Sequence, residues 1–131
     1  MSKTDPIADT FTLIRNAVRS AKEDVMVPHS RLILKVCDIL KRDGYIENFA
    51  EADLGNFHKI KIYLRYAGKK SVITQIKRVS KPGNRVYVRH GKIRHVLQGY
   101  GTAFISTSSG ILTDKEAKEK GLGGEFVGMV W

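Results

Sequence analysis

Ile105-Ser106-Thr107-Ser108-Ser109-Gly110 sets four consecutive hydroxyl side chains between an apolar run and a glycine. Hydroxyls are short and both donate and accept, so such a cluster suits a surface that meets phosphates, base edges and ribose 2′-hydroxyls. Serine and threonine are also common in turns because they bond their own backbone, and taken alone the cluster fits that bland role better. Ile111-Leu112-Thr113-Asp114-Lys115-Glu116 follows directly and reads as a helix start, which puts the hydroxyls on a strand-to-helix turn. Further on, Gly121-Leu122-Gly123-Gly124-Glu125 supplies glycines that allow conformations or close approaches larger residues resist.

Catalytic chemistries fail one at a time. Gly99-Tyr100-Gly101 opens like a dinucleotide fingerprint but lacks the third glycine and the βαβ unit with its downstream acid. No glycine stands two residues before any serine of the cluster, so it is not a nucleophile elbow. His90 and His95 have no cysteine or carboxylate near them in sequence to complete a metal site. Cys37 is the only cysteine, which excludes an intrachain disulfide and a cysteine-based zinc site and leaves it a core-filling role. Of the acids after residue 67, Asp114 and Glu116 sit in a helix start, where the dipole favours them. No enzyme activity, cofactor or metal is expected.

Charge points elsewhere. The 131 residues carry 23 basic and 13 acidic side chains, net +10, as expected of a partner for a polyanion. Residues 1–66 hold 11 basic and 9 acidic residues, residues 67–131 hold 12 and 4, and no acid lies between Asp53 and Asp114. The excess therefore belongs mainly to the half that holds the hydroxyls. No apolar run is long enough to span a bilayer and the N-terminus lacks a signal-peptide core, so a cytosolic protein is expected.

The elements that must position these residues follow from periodicity. Asp5-Pro6 opens a helix with Ile7, Phe11, Ile14 and Val18 on its apolar face, leaving Thr4, Arg15, Asn16 and Arg19 for its polar surface. A short extended piece, Val25-Met26-Val27, precedes a second helix capped by Ser30, with Leu32, Ile33, Val36, Cys37 and Leu40 buried and Gly44 ending it. Tyr45–Phe49 and the alternating Ile60, Ile62, Leu64 and Tyr66 read as antiparallel strands around Leu54-Gly55-Asn56. A boundary is expected at Ala67-Gly68-Lys69-Lys70, giving an α/β N-terminal domain (1–66) and a mainly β C-terminal domain with a short helix (67–131), an α+β protein. Beyond it come a strand over Val72–Val79, a turn at Ser80-Lys81-Pro82-Gly83, and a strand Arg85–Arg89 with Arg85, Tyr87 and Arg89 on one face. Two arginines flanking an aromatic signal nucleic acid more strongly than charge alone, since guanidinium groups bind phosphate bidentately and the ring stacks or packs a sugar, although cross-strand packing explains Tyr87 equally well. Lys92–Gln98 fits a short helix or an irregular bend, Thr102–Thr107 a strand, and Thr113 with Glu116 a capping box opening a helix that stops at Gly121. The chain closes on an interior strand, Glu125–Trp131.

Read as an ordered set, these motifs carry a resemblance. Asp5-Pro6-Ile7-Ala8-Asp9 with Ile14-Arg15-Asn16-Ala17, then Arg78-Val79-Ser80-Lys81-Pro82-Gly83 with Arg85 and Tyr87, then Ser106-Thr107-Ser108, Gly110, Thr113-Asp114, Ala117 and Gly123-Gly124-Glu125 closing near Val130-Trp131, resemble the bacterial form of the small-subunit ribosomal protein eight family over residues 5–131. The resemblance implies binding to the central domain of small-subunit ribosomal RNA during assembly, neighbouring ribosomal proteins as partners, and repression of the protein's own operon messenger. By matching position it implies a central RNA contact at Ser106, Thr107, Ser108 and Gly110, supported by Lys81, Arg85, Tyr87 and Gly123-Gly124-Glu125. Secondary RNA contacts would come from Thr4, Asp5, Arg15, Asn16, Ser30 and Arg31. Ser109 and Leu13 depart from the family pattern, which favours basic residues there, and each removes one phosphate contact. A general DNA-binding module, an RNA-modifying enzyme and a peripheral binder of anionic membranes are the competing classes. The enzyme lacks a nucleophile or metal set, and the membrane binder lacks a basic amphipathic helix.

Overall fold

A computed structural model describes residues 5–53, 55, 58–93 and 99–131. The chain is α+β and divides into two compact units, Pro6–Thr74 and Gln75–Trp131, the second including Asp5.

The first unit opens with helix α1 (Pro6–Arg19), whose Ile7, Thr10, Phe11, Ile14 and Ala17 are buried at three- and four-residue spacing. Thr10 is tolerated there because its hydroxyl donates to the Pro6 carbonyl at 2.8 Å. Val18, expected on this face, is only half-buried. Strand β1 (Asp24–Pro28) leads to helix α2 (Arg31–Arg42), where Ser30 caps the first turn by accepting from the Ile33 N–H at 3.0 Å. Ile33, Val36, Cys37, Ile39 and Leu40 are buried, whereas Leu32, expected inside, points outward at 37% exposure. Burial pushes the Cys37 thiol up to about 12, consistent with an inert core side chain. Strands β2 (Ile46–Asp53) and β3 (His58–Leu64) complete an antiparallel sheet of order β1-β3-β2, with α1 against β1 and α2 against β2. The pairs Val27↔Ile60 and Val25↔Ile62 place the fully buried Ile60 and Ile62 on the helix side and Lys59, Lys61 and Tyr63 on the other. The expected turn residues Leu54 and Asn56 lie outside the described residues.

Strands β4 (Tyr66–Ala67) and β5 (Lys70–Ser71) then pair as a short hairpin. The composition boundary at 66/67 falls inside this hairpin, between the two residues of β4, and the whole hairpin belongs to the first unit; the units divide between Thr74 and Gln75. The continuous strand expected over Val72–Val79 is broken: the Ser71 hydroxyl accepts from the Ile73 N–H at 3.1 Å, and only β6 (Ile76–Arg78) enters the next sheet.

That sheet belongs to the second unit. It contains β7 (Tyr87–Val88), β8 (Thr102–Thr107), β9 (Gly110–Thr113) and β10 (Gly124–Val130) with β6, in the order β6-β10-β8-β9, while β7 also pairs β10. The expected strand Arg85–Arg89 is therefore reduced to two residues. A 3-10 turn spans His90–Lys92, and the undecided stretch beyond it, residues 94–98, lies outside the described residues. Helix α3 (Asp114–Lys120) has the full capping box, Thr113 accepting from the Glu116 N–H and Glu116 from the Thr113 N–H, both at 3.1 Å, and ends on Gly121. One face of the sheet and α3 enclose a core of Ile93, Ala103, Ile105, Leu112 and Ala117, flanked by Val88, Leu122, Phe126, Met129 and Trp131.

Candidate nucleic-acid interface

The hydroxyl cluster lies at the tip of a hairpin and not on a strand-to-helix turn. Thr107 pairs with Gly110, so Ser108 and Ser109 form the connection between β8 and β9, and Ile111–Thr113 remain strand before α3 begins. Neither serine takes a positive φ but Gly110 does, at 97°, a left-handed conformation that glycine adopts without the cost a Cβ would add, and the pairing runs in unbroken register from Thr107↔Gly110 to Phe104↔Thr113. The hydroxyls divide by role. Thr107 donates to the Gly110 carbonyl at 2.8 Å and accepts from the Ser109 N–H at 3.1 Å, so it shapes the tip. Ser108 and Ser109 are exposed and Ser106 is half-buried. Among the described residues the side chains of Ser106 and Ser108 make no hydrogen bond, which leaves both hydroxyls available to a ligand.

Register then brings distant residues into one row. Glu125 on β10 pairs with Tyr87 on β7 and with Ser106 on β8. Residues paired in this way project from the same face, roughly 5 Å apart from strand to strand. Tyr87, Glu125 and Ser106 thus form a cross-strand line leading to the tip, with Tyr87 69% exposed. Gly124 keeps β10 close to that line: a Cβ there would stand 2.0 Å from the Ser106 carbonyl oxygen and 3.2 Å from the Thr107 Cα. Gly123, half-buried, precedes it.

Lys81 and Arg85 flank a tight loop on the other side of β10. Lys81 and Asn84 exchange backbone hydrogen bonds of 3.1 and 2.9 Å, and the Lys81 side chain is exposed. Arg85 Nη1 donates to Glu125 Oε2 at 2.8 Å, and the fully buried Ser80 hydroxyl donates to the same oxygen at 2.5 Å. Desolvation opposes ionisation of Glu125, but the hydrogen bonds from Ser80 and Arg85 and the charges of Arg85 and Arg78 together outweigh it and hold the carboxyl below its ordinary value. Arg78, with a side chain only 8% exposed, donates from Nε to the Asp5 carboxylate at 3.1 Å and from Nη1 to the Val127 carbonyl at 2.6 Å. Periodicity carried no sign of Ser80 or of the Asp5–Arg78 pair, since each joins residues far apart in sequence through side chains that leave no repeating pattern.

The secondary set is spread over the chain. Thr4 lies outside the described residues, and Asp5 is occupied by Arg78. Arg15, half-buried, and Asn16, exposed, stand on α1, while Arg31 is exposed at the start of α2 beside Ser30, whose oxygen serves the cap. Among the described residues no group of three or more histidine, cysteine or acidic side chains has metal-site geometry, and no helix is long and apolar enough to cross a membrane.

The model of the family described as "Ribosomal protein S8" matches residues 5–131. The chain belongs to the ribosomal protein S8 family. It is 49% identical to the small ribosomal subunit protein uS8 of Syntrophomonas wolfei over 132 residues, covering 100% of each chain. The uS8 of Mycoplasmopsis pulmonis is 48% identical over 128 residues, covering 98% of this chain and 97% of its own. That of Geobacillus stearothermophilus is 45% identical over 130 residues, covering 99% of each. The family is one of ribosomal proteins and not of enzymes.

Proposed function

We propose that this chain is a constituent of the small ribosomal subunit that binds the central domain of small-subunit ribosomal RNA during assembly, alongside neighbouring ribosomal proteins. The observation that carries the reading is the line Tyr87, Glu125 and Ser106 running into the exposed Ser108–Ser109 tip. A-form RNA displays its 2′-hydroxyls and base edges in a wide, shallow minor groove, where short hydroxyls on a narrow tip approach more closely than long side chains. Ser106 and Ser108 act as the readers, Thr107 and Gly110 hold the tip in shape, and Tyr87 offers a ring for stacking or sugar packing. Lys81, Arg85 and the exposed Arg89 and Lys92 supply the salt-dependent attraction to phosphate. Arg15, Asn16, Ser30 and Arg31 form a secondary contact set from the first unit.

A tip that reads an RNA fold binds the same fold wherever it occurs, so the reading extends to the chain's own operon messenger and to its repression. Nucleotide footprinting on small-subunit ribosomal RNA tests the assignment: protection confined to an irregular helix of the central domain is the expected result, and diffuse protection would reject it. Competition with duplex DNA of equal length separates this reading from a general nucleic-acid module, because readout of 2′-hydroxyls makes DNA a poor competitor.

A further inference from the structure

We infer that Ser80 is a positioning residue for RNA recognition, acting through the Glu125 carboxylate to fix Arg85 and the Lys81–Asn84 loop in register with Ser106; this rests on the RNA-binding reading above. Ser80 is a polar side chain with 0% exposure, and both of its hydrogen-bonding functions are used. Its hydroxyl donates to Glu125 Oε2 at 2.5 Å and accepts from the Val86 N–H at 3.0 Å. One oxygen therefore ties together the two ends of the loop and attaches both to β10. Backbone bonds continue the clamp on each side, the Ser80 N–H donating to the Phe126 carbonyl at 3.0 Å and the Phe126 N–H to the Val86 carbonyl at 2.8 Å.

The acceptor of this clamp is the residue that register places between Tyr87 and Ser106. A bare carboxylate in that place would repel an RNA backbone. With the Ser80 hydroxyl and the Arg85 guanidinium both donating to Oε2, Glu125 serves as a strut, and Arg85, 47% exposed at its side chain, keeps a surface it can present to phosphate. Backbone bonds hold the ends of the loop to β10 and close it between residues 81 and 84, but the hydroxyl is the group that joins Val86 to the Glu125 carboxylate, so its loss loosens the orientation of the loop and of Arg85 while leaving every charge in place.

This separates Ser80 from a residue that merely adds stability. Ser80→Ala keeps the number of phosphate-facing charges, so the slope of affinity against salt stays as in the wild type and binding to unrelated RNA is unchanged. Affinity for the central-domain RNA falls by about tenfold, as expected when one charge-assisted hydrogen bond that orders a contact is lost. Arg85→Ala, in contrast, lowers the salt slope by about one. Glu125→Gln, which keeps an acceptor for both donors but removes the charge, is the second variant should Ser80→Ala not fold, and loses less central-domain affinity than Ser80→Ala. Equal losses on central-domain and unrelated RNA would mark a purely structural residue and overturn the inference. So would unchanged central-domain affinity in Ser80→Ala or, where only the second variant folds, a Glu125→Gln that binds both RNAs as the wild type does. A wild-type protein with no preference for central-domain RNA would instead remove the reading on which the inference stands.

Discussion

The two compact units use their acids in different ways. In Gln75–Trp131 there are 10 basic and 4 acidic residues, and three of those acids are absorbed into the framework. The buried Asp114 accepts from the Ala103 N–H at 3.2 Å, Glu116 closes the capping box, and Glu125 is the strut between Ser80 and Arg85. Lys77, Lys81, Arg89 and Lys92 are left exposed around the sheet. In Pro6–Thr74 the balance is 12 to 8, a net +4 against +6, yet several acids meet bases at the surface. Asp24 stands 3.8 Å from Lys61, Glu47 4.0 Å from Arg65, and Glu51 2.6 Å from His29. Such exposed pairs contribute little stability, but in Asp24–Lys61 and Glu47–Arg65 opposite charges cancel one another's field. What distinguishes the second unit is therefore less its net charge than the fact that three of its four acids are held in the framework and only Glu119 of α3 is exposed, whereas in the first unit surface acids stand beside surface bases.

The comparison is best broken by variants that act on one unit only. Phe11→Ala, at a fully buried position of α1, should cost about 3–5 kcal/mol of stability and show in a chemical melt, while leaving the RNA preference of the folded fraction intact. Loss of RNA preference at equal occupancy of the folded state would mean that the first unit shares the reading role. Gly124→Ala should cost about 1–3 kcal/mol, since its Cβ forces β10 away from the Ser106 carbonyl, and should also weaken RNA binding because it displaces the tip. Thr107→Ala should lower stability by about 1 kcal/mol through the lost turn bonds and affinity as well, whereas Ser108→Ala should change affinity alone. Thermal melts paired with RNA titrations would tell the shaping hydroxyl from the reading one.

Acidification should sharpen the same contrast with the smallest effect. Because the folded-state carboxyl of Glu125 lies below its ordinary value of 4.5, its stabilising contribution is complete above that value and is lost as pH falls through the lower, folded one. The stability difference between wild type and Glu125→Gln should accordingly be constant at neutral pH and shrink only below about pH 4.5, as urea melts across the acid range would show.

Much of this arrangement was legible in the sequence, and the rest has identifiable causes. The α1 and α2 faces, the Ser30 cap, the strand Thr102–Thr107 and the capping box of α3 follow from spacing rules that depend on near neighbours. Leu32 departs from the expected face because it stands in the first turn of α2 at the edge of the apolar stripe set by Ile33, Val36 and Leu40, where a small rotation exposes it. The hairpin at Ser108–Ser109 was hidden by its own brevity. Only Ile111 and Leu112 separate its glycine from the strong helix signal at Thr113, and the serine pair with Gly110 behind it matches a turn without naming which kind. The strands over Val72–Val79 and Arg85–Arg89 were too long because alternation continues through residues whose backbone is held by Ser71 and Ser80. The row joining Tyr87, Glu125 and Ser106 depends on register between strands far apart in the chain, and no local pattern encodes it.

The central claim is that hydroxyls discriminate and bases attract. Affinity for central-domain RNA across a salt series, measured for Ser108→Ala and Lys92→Ala against wild type, tests it most directly. Ser108→Ala should lose about 1–3 kcal/mol at every salt concentration with an unchanged slope, and Lys92→Ala should mainly reduce the slope by about one. Equal changes of slope in both variants, with little loss for the hydroxyl variant, would contradict it.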